Sequence, residues 1–309
     1  MTKRQLFGLF CCFVAAVIWG TAFTAQDKAA ELMQPFTFQA VRSLLGALTL
    51  IPAVAVHDAV QKKRGVMLTR ETVRGKWLLL GGFGCGLALS AAAGLQQMGI
   101  ANNTGSPGKD AFITSLYVVF FPLMGLLFGR RAAPHVYGCV VLALLGLWML
   151  CMGGSSLSLG DMQLMACAFL FACQMTLVDR VAPHVDVLRL SFVQFMTVSA
   201  TSAVLMLIFE QPTWEAVRAG WFYIVYAGVL SSAGAYTLQM VGQKNAPPVA
   251  ACLMLSLESV VAVVTGLVIQ HMVPTTREWI GMAVIFVAIV VAQIPARVKK
   301  KTQAPDGAT

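Results

Sequence analysis

Long apolar runs broken by short polar links set the pattern of this chain. The clearest lies between Thr104 and Gly129, where Ser106 and Pro107 give a helix start, Lys109 and Asp110 fill the first turn, and no charge follows from Ala111 to Phe128. Serine can cap free N–H groups, and proline at the first helical position lacks a donor that would be orphaned there anyway. With its start, that run is long enough to cross a bilayer core of about 30 Å at about 1.5 Å per residue. Similar runs predict spans over residues 6–25, 35–56, 77–100, 137–152, 162–181, 187–209, 221–241, 247–270 and 279–295. The fold class predicted is all-α: a polytopic membrane protein with ten transmembrane helices.

Polar residues recur within these runs at helical spacing. Trp19, Phe23 and Gln26 form a stripe that either lines a cavity or makes an aromatic packing face. Gln39, Arg42, Ser43 and Gly46 share a face of the second span; Arg42 either snorkels to the nearer surface or faces protein, water or a counter-charge, since lipid exposure costs several kcal/mol. Ser90, Gly94 and Gln97 align on the third span, and Asp110, Thr114, Tyr117 and Phe121 on the fourth. Ser191, Gln194 and Thr201 follow on the seventh, and Ser232, Tyr236, Gln239 and Gln243 on the eighth. Glu258 lies mid-span in the ninth. The fifth and tenth spans carry no comparable stripe.

The second half repeats the first in outline. LQQMGIANNTGSPG joins the third and fourth spans, and LQMVGQKNAPPVA joins the eighth and ninth. Arg42 falls opposite Gln194 when Phe38 is set against Leu190. Two units follow, residues 1–152 and 153–296, with a basic tail over 297–309 that is expected to be disordered. Five spans per unit is an odd number, so the second unit is inverted relative to the first, as in many secondary transporters.

Composition agrees with this reading. Of 309 residues, 58% are hydrophobic and 11% charged, and the mean hydropathy is +0.76, values that no water-soluble core could hide. The net charge of +9 is unevenly spread: with the N-terminus inside, 17 lysines and arginines fall on the inner side and 4 on the outer. That bias places both termini in the cytoplasm and argues against nucleic acid as a partner. The first span reads as a retained helix, having no cleavage site. The eight cysteines lie in apolar runs without metal-like spacing, and the four histidines share no face. No metal or cofactor site is expected, nor a nucleophile or phosphate loop, so binding and gating rather than bond making are implied.

GKDAFITSLYVVFFP with the preceding LQQMGIANNT, WGTAF in the first span and FQAVRSLLGAL in the second resemble the EamA-type members of the drug/metabolite transporter superfamily. The similarity covers about Leu6 to Pro295. It implies ten helices as two inverted five-helix repeats, a central cavity walled by spans 1–4 and 6–9, peripheral spans 5 and 10, and export of amino acids, other small metabolites or drugs across the inner membrane. Asp110 stands where many relatives carry a small residue.

The candidate substrate-binding residues are Trp19, Phe23, Arg42, Gln97, Lys109, Asp110, Tyr117, Gln194, Tyr236, Gln239 and Glu258. Arg42 or Lys109 would hold a carboxylate and Asp110 or Glu258 an ammonium, a set suited to a small zwitterion. Lys109 and Asp110 read equally as a solvated helix entrance, and Glu258 as the partner of Arg42 or as the group for proton coupling. A passive channel or facilitator, or a membrane scaffold or enzyme, is the alternative function; the chain is expected as a monomer or homodimer in the lipid bilayer.

Overall fold

A computed structural model of the chain describes residues 2–65, 75–103, 107–124, 134–151 and 157–292. The helices are α1 (Lys3–Ala30), α2 (Pro35–Lys63), α3 (Lys76–Asn102), α4 (Pro107–Thr114), α5 (Tyr117–Met124), α6 (Pro134–Cys151), α7 (Leu159–Val181), α8 (Val187–Phe209), α9 (Trp214–Ala219), α10 (Trp221–Val225), α11 (Tyr236–Asn245), α12 (Pro248–Ile269) and α13 (Thr276–Ala292). A 3-10 turn, Ala182–His184, follows α7, and a π-helical stretch, Tyr226–Ala235, joins α10 to α11. There are no strands among the described residues. Among the described residues, seven segments are long and apolar enough to cross a membrane: α1, α2, α3, Leu159–His184, α8, Trp221–Asn245 and Ala250–Ile269.

The fourth predicted span is interrupted. Its helix breaks at Ser115 and Leu116, between α4 and α5, and the Ser115 hydroxyl bonds back to the Ala111 carbonyl at 2.8 Å. Ser106, the stretch 125–133 with Gly129, Arg130 and Arg131, and the tail lie outside the described residues. The eighth span also departs from a plain α-helix. Its π-helical stretch widens the turn, a feature frequent at functional sites.

Packing runs across the two halves rather than within them. The helix α3 lies on α7 and α8, α2 on α8 and on the π-helical stretch, α1 on α12, α11 and that same stretch, α4 and α5 on α7, and α6 on α13. The partners exchange in a regular way: third span on sixth and eighth on first, third on seventh and eighth on second. Glycines permit these crossings. A Cβ on Gly99 would lie 3.0 Å from the Gly160 carbonyl of α7, and one on Gly242 2.9 Å from the Gly8 carbonyl of α1. Gly99 and Gly242 hold the same place in the motifs LQQMG and LQMVG, so each motif sets a glycine against the backbone of a facing helix of the other half.

The two ends of the bundle differ in charge. At one, the Arg4 Nε donates to the Asn245 Oδ1 at 2.6 Å, Arg189 pairs with Asp58 at 2.6 Å, and the Lys244 ammonium donates to the Val185 carbonyl at 3.2 Å. Lys3, Lys62, Lys63 and Lys76 belong to this basic end. At the other, the Glu210 carboxylate accepts from the Phe36 and Thr37 amides and the Thr37 hydroxyl, each at 2.7 Å, closing the N-terminus of α2. The Asp27 carboxylate there accepts from Gln270 at 3.0 Å, and Lys109 pairs with Asp161 at 2.7 Å. Tryptophans mark both ends, Trp77 stacked on His184 at the basic one and Trp148, Trp214, Trp221 and Trp279 at the acidic one, where indole rings favour a membrane–water interface.

Candidate functional site

Between the two ends, the halves form a small cavity of about 30 Å³ lined by Trp19, Phe23, Gln26, Arg42, Gln96, Thr114, Tyr117, Phe171, Met175, Ser231, Tyr236, Gln239 and Glu258. The break in the fourth span and the π-helical stretch both abut it. Thr114 and Tyr117 flank the break between α4 and α5, while Ser231 lies in the π-helical stretch and Tyr236 at its end.

One wall is aromatic. The Trp19 and Tyr236 rings meet edge-on with centroids 4.7 Å apart, Tyr236 meets Phe195 at 5.3 Å, and Tyr117 meets Phe171 at 6.3 Å. The helix α1 carries both Trp19 and Phe23 inward because they are four residues apart and share a face. Thr21, on another face of α1, shares a hydrogen bond with the Tyr226 hydroxyl.

Arg42 supplies the cation. It is 5% exposed, donates from Nη1 to Gln26 Oε1 at 2.9 Å and from Nη2 to Gln39 Oε1 at 3.3 Å, and sits over the Phe38 ring at 5.1 Å. The Gln39 amide is held in turn, donating to the Ser90 carbonyl at 3.2 Å, and Gln97 donates to the backbone carbonyl of Gln26 at 3.2 Å. No carboxylate pairs with Arg42 among the described residues, so Glu258 is not its ion-pair partner. Glu258, 3% exposed, faces the same cavity from α12.

The lining is short of partners. Trp19 Nε1, Arg42 Nε, Thr114 Oγ1 and Gln239 Oε1 are buried and have no hydrogen-bond partner among the described residues, whereas Tyr117 and Glu258 interact with each other. Each would cost about 1–3 kcal/mol if left unmet. Four such atoms around one cavity leave donors and acceptors available to a polar guest.

Of the residues expected from sequence, Trp19, Phe23, Arg42, Tyr117, Tyr236, Gln239 and Glu258 come together here. Four stand elsewhere. Lys109 is held by Asp161 at the acidic end, because α4 starts where α7 starts. Asp110 is fully buried beside it and accepts from Asn103 at 3.2 Å. Gln97 turns away to the Gln26 backbone, and Gln194 accepts from Gln174 at 3.1 Å in the packing between α7 and α8. The reading from stripes passed over Gln96, Phe171, Met175 and Ser231. A signal for two of them existed: Gln96 matches Gln239 in the aligned LQ motifs, and Met175 lies as far from the capping serine Ser158 as Trp19 does from the capping threonine Thr2.

The EamA-like transporter family matches residues 6–152 and again 158–293. The chain belongs to the EamA-like transporter family, and the family's domain is duplicated in it. Among relatives, an uncharacterized transporter of Archaeoglobus fulgidus is 24% identical over 94% of this chain and 87% of its own length. The uncharacterized transporter YwfM of Bacillus subtilis is 22% identical over 98% of each. A protein solved by crystallography shares the fold with a TM-score of 0.67 at 21% identity, covering 94% of this chain and 96% of that one. The chain is thus a multi-pass membrane transporter of small molecules, not an enzyme.

Proposed function

We propose that this EamA-like protein is a secondary transporter that moves a small zwitterionic metabolite, of the amino-acid type, across the inner membrane by alternating access, in the direction of export. The observation that supports the reading is a cavity with four unpartnered polar atoms, an arginine with no carboxylate partner among the described residues and a glutamate in the same lining. Arg42 takes the carboxylate of the solute, fixed by Gln26 and Gln39. Glu258 takes the ammonium or, when the site is empty, a proton. Trp19, Tyr117 and Tyr236 pack on the organic part.

The architecture proposed for this cycle is ten spans in two inverted repeats, residues 1–152 and 153–296, in which α4 with α5, α6 and α13 also cross the membrane. It is supported by the exchange of packing partners between halves and by the duplicated family domain. The excess of lysine and arginine at one end supports cytoplasmic termini.

Counterflow tests the function: purified protein in liposomes loaded with a mixed amino-acid pool, scored for uptake of each labelled amino acid, with Arg42→Ala as control. Selective uptake abolished by Arg42→Ala is expected. Absence of uptake by folded protein would remove the zwitterion reading and direct the assay to drugs, nucleosides or vitamins.

A further inference from the structure

Each end of the molecule is held by an asparagine that closes one of the two aligned motifs. At the acidic end, Asn102 at the end of α3 donates to Gln163 Oε1 at 2.7 Å in the first turns of α7. Its neighbour Asn103 donates to Asp161 Oδ1 at 2.9 Å and accepts from Ser158 Oγ at 2.8 Å, and Asp161 also holds Lys109 of α4. At the basic end, Asn245 at the end of α11 holds Arg4 in the first turn of α1. Asn102 and Asn245 close the two aligned motifs, LQQMGIAN and LQMVGQKN. Both receiving helices begin with a capping box, Thr2 with Gln5 on α1 and Ser158 with Asp161 on α7. One turn inside each asparagine is the glycine contact already described, Gly99 on Gly160 and Gly242 on Gly8, which lets the helix pairs cross with little between them.

We infer that these two clusters are the paired latches of the transport cycle, Asn103–Asp161–Lys109 (with Asn102–Gln163) at the acidic end and Asn245–Arg4 at the basic end. This rests on the transport reading above. The structure holds both latches at once, with the cavity between them. Opening toward one side separates the helix pair at that end while its counterpart stays latched. The chemistry differs between ends. The acidic-end latch contains a lysine–aspartate ion pair of which Asp161 is 1% exposed and Lys109 16% exposed, whereas the basic-end latch is one exposed arginine–asparagine bond. A half-buried ion pair holds more firmly than an exposed neutral–charged contact. The acidic end is therefore the tighter one, and the basic end opens more readily.

Distances between spin labels carried on non-canonical amino acids test this, since that labelling leaves the buried native cysteines in place. Repeat-equivalent positions are used, Ala101 with Met162 at the acidic end and Lys244 with Leu6 at the basic end. Lys109→Gln, which keeps the capping box of α7, is expected to shift the acidic-end distribution to longer distances and leave the basic-end one unlengthened; Asp161→Asn should do the same. Arg4→Gln or Asn245→Ala is expected to lengthen the basic-end distance alone. If neither distribution moves, or both ends lengthen together in every variant, the latches are overturned. Counterflow on the same proteins separates the two readings: one-sided shifts without uptake of any solute leave the latches standing and remove the transport reading, and uptake with fixed distances does the reverse.

Discussion

Arg42 shows how much of the site depends on single side chains. Its fork meets two glutamine oxygens, and its Nε remains unpartnered toward the cavity. Arg42→Ala should abolish counterflow. Arg42→Lys keeps the charge but cannot reach both amides from one planar group, and the loss of a charge-assisted bond of about 1.5–3 kcal/mol predicts roughly 10- to 100-fold weaker solute binding, read from KM. Glu258→Gln keeps the shape of the wall and removes its proton-binding group. Uptake that no longer changes with pH is expected, and an unchanged pH profile would take coupling away from this residue. Trp19 and Arg42 were legible in the sequence because a large aromatic at helical spacing and a charge inside an apolar run are both costly unless they face a partner or a cavity. Gln96 was hidden beside Gln97, since adjacent residues on a helix differ by about 100° and spacing alone does not say which one points inward.

At the level of elements, close contacts and caps decide the fit. A side chain on Gly99 or Gly242 meets the backbone of the facing helix, so Gly99→Val and Gly242→Val are each expected to destabilise the protein by about 1–3 kcal/mol, lowering Tm in detergent. Gly84→Ala is the control, because nothing lies within 4 Å of the position of its Cβ. Removing a helical glycine there should leave Tm unchanged or raise it, by up to about 1 kcal/mol of helix propensity. Glu210 caps α2 from the far end of α8, and Glu210→Ala should cost about 1–2 kcal/mol through three lost bonds to the start of α2. This contact spans 173 residues of sequence and leaves no local sign in it. Helix ends were legible where proline or a capping serine starts them. The break between α4 and α5 and the π-helical stretch were not, because the serines and glycines found in them also occur in the unbroken spans of this chain.

For the molecule as a whole, the distribution of charge and the pairing of halves belong together. Impermeant labelling of single engineered cysteines in intact cells should reach positions near Glu31 and Glu215 at the acidic end, and not Lys62 or Lys63 at the basic end. The opposite result would invert the proposed orientation. What the sequence determined by itself was the class of solvent, the number and length of the apolar runs, the internal repeat and the asymmetry of lysine and arginine, because each is a sum over many residues that no single contact can reverse. Only the tertiary structure decided which stripes face one another. It set Arg42 and Glu258 in one cavity lining with no ion pair between them among the described residues, carried Lys109 and Asp110 to the acidic end, and made each half complete its packing on the other. Those outcomes depend on how helices from distant parts of the chain rotate about their axes when they pack, and periodicity along one helix carries no information about its partner.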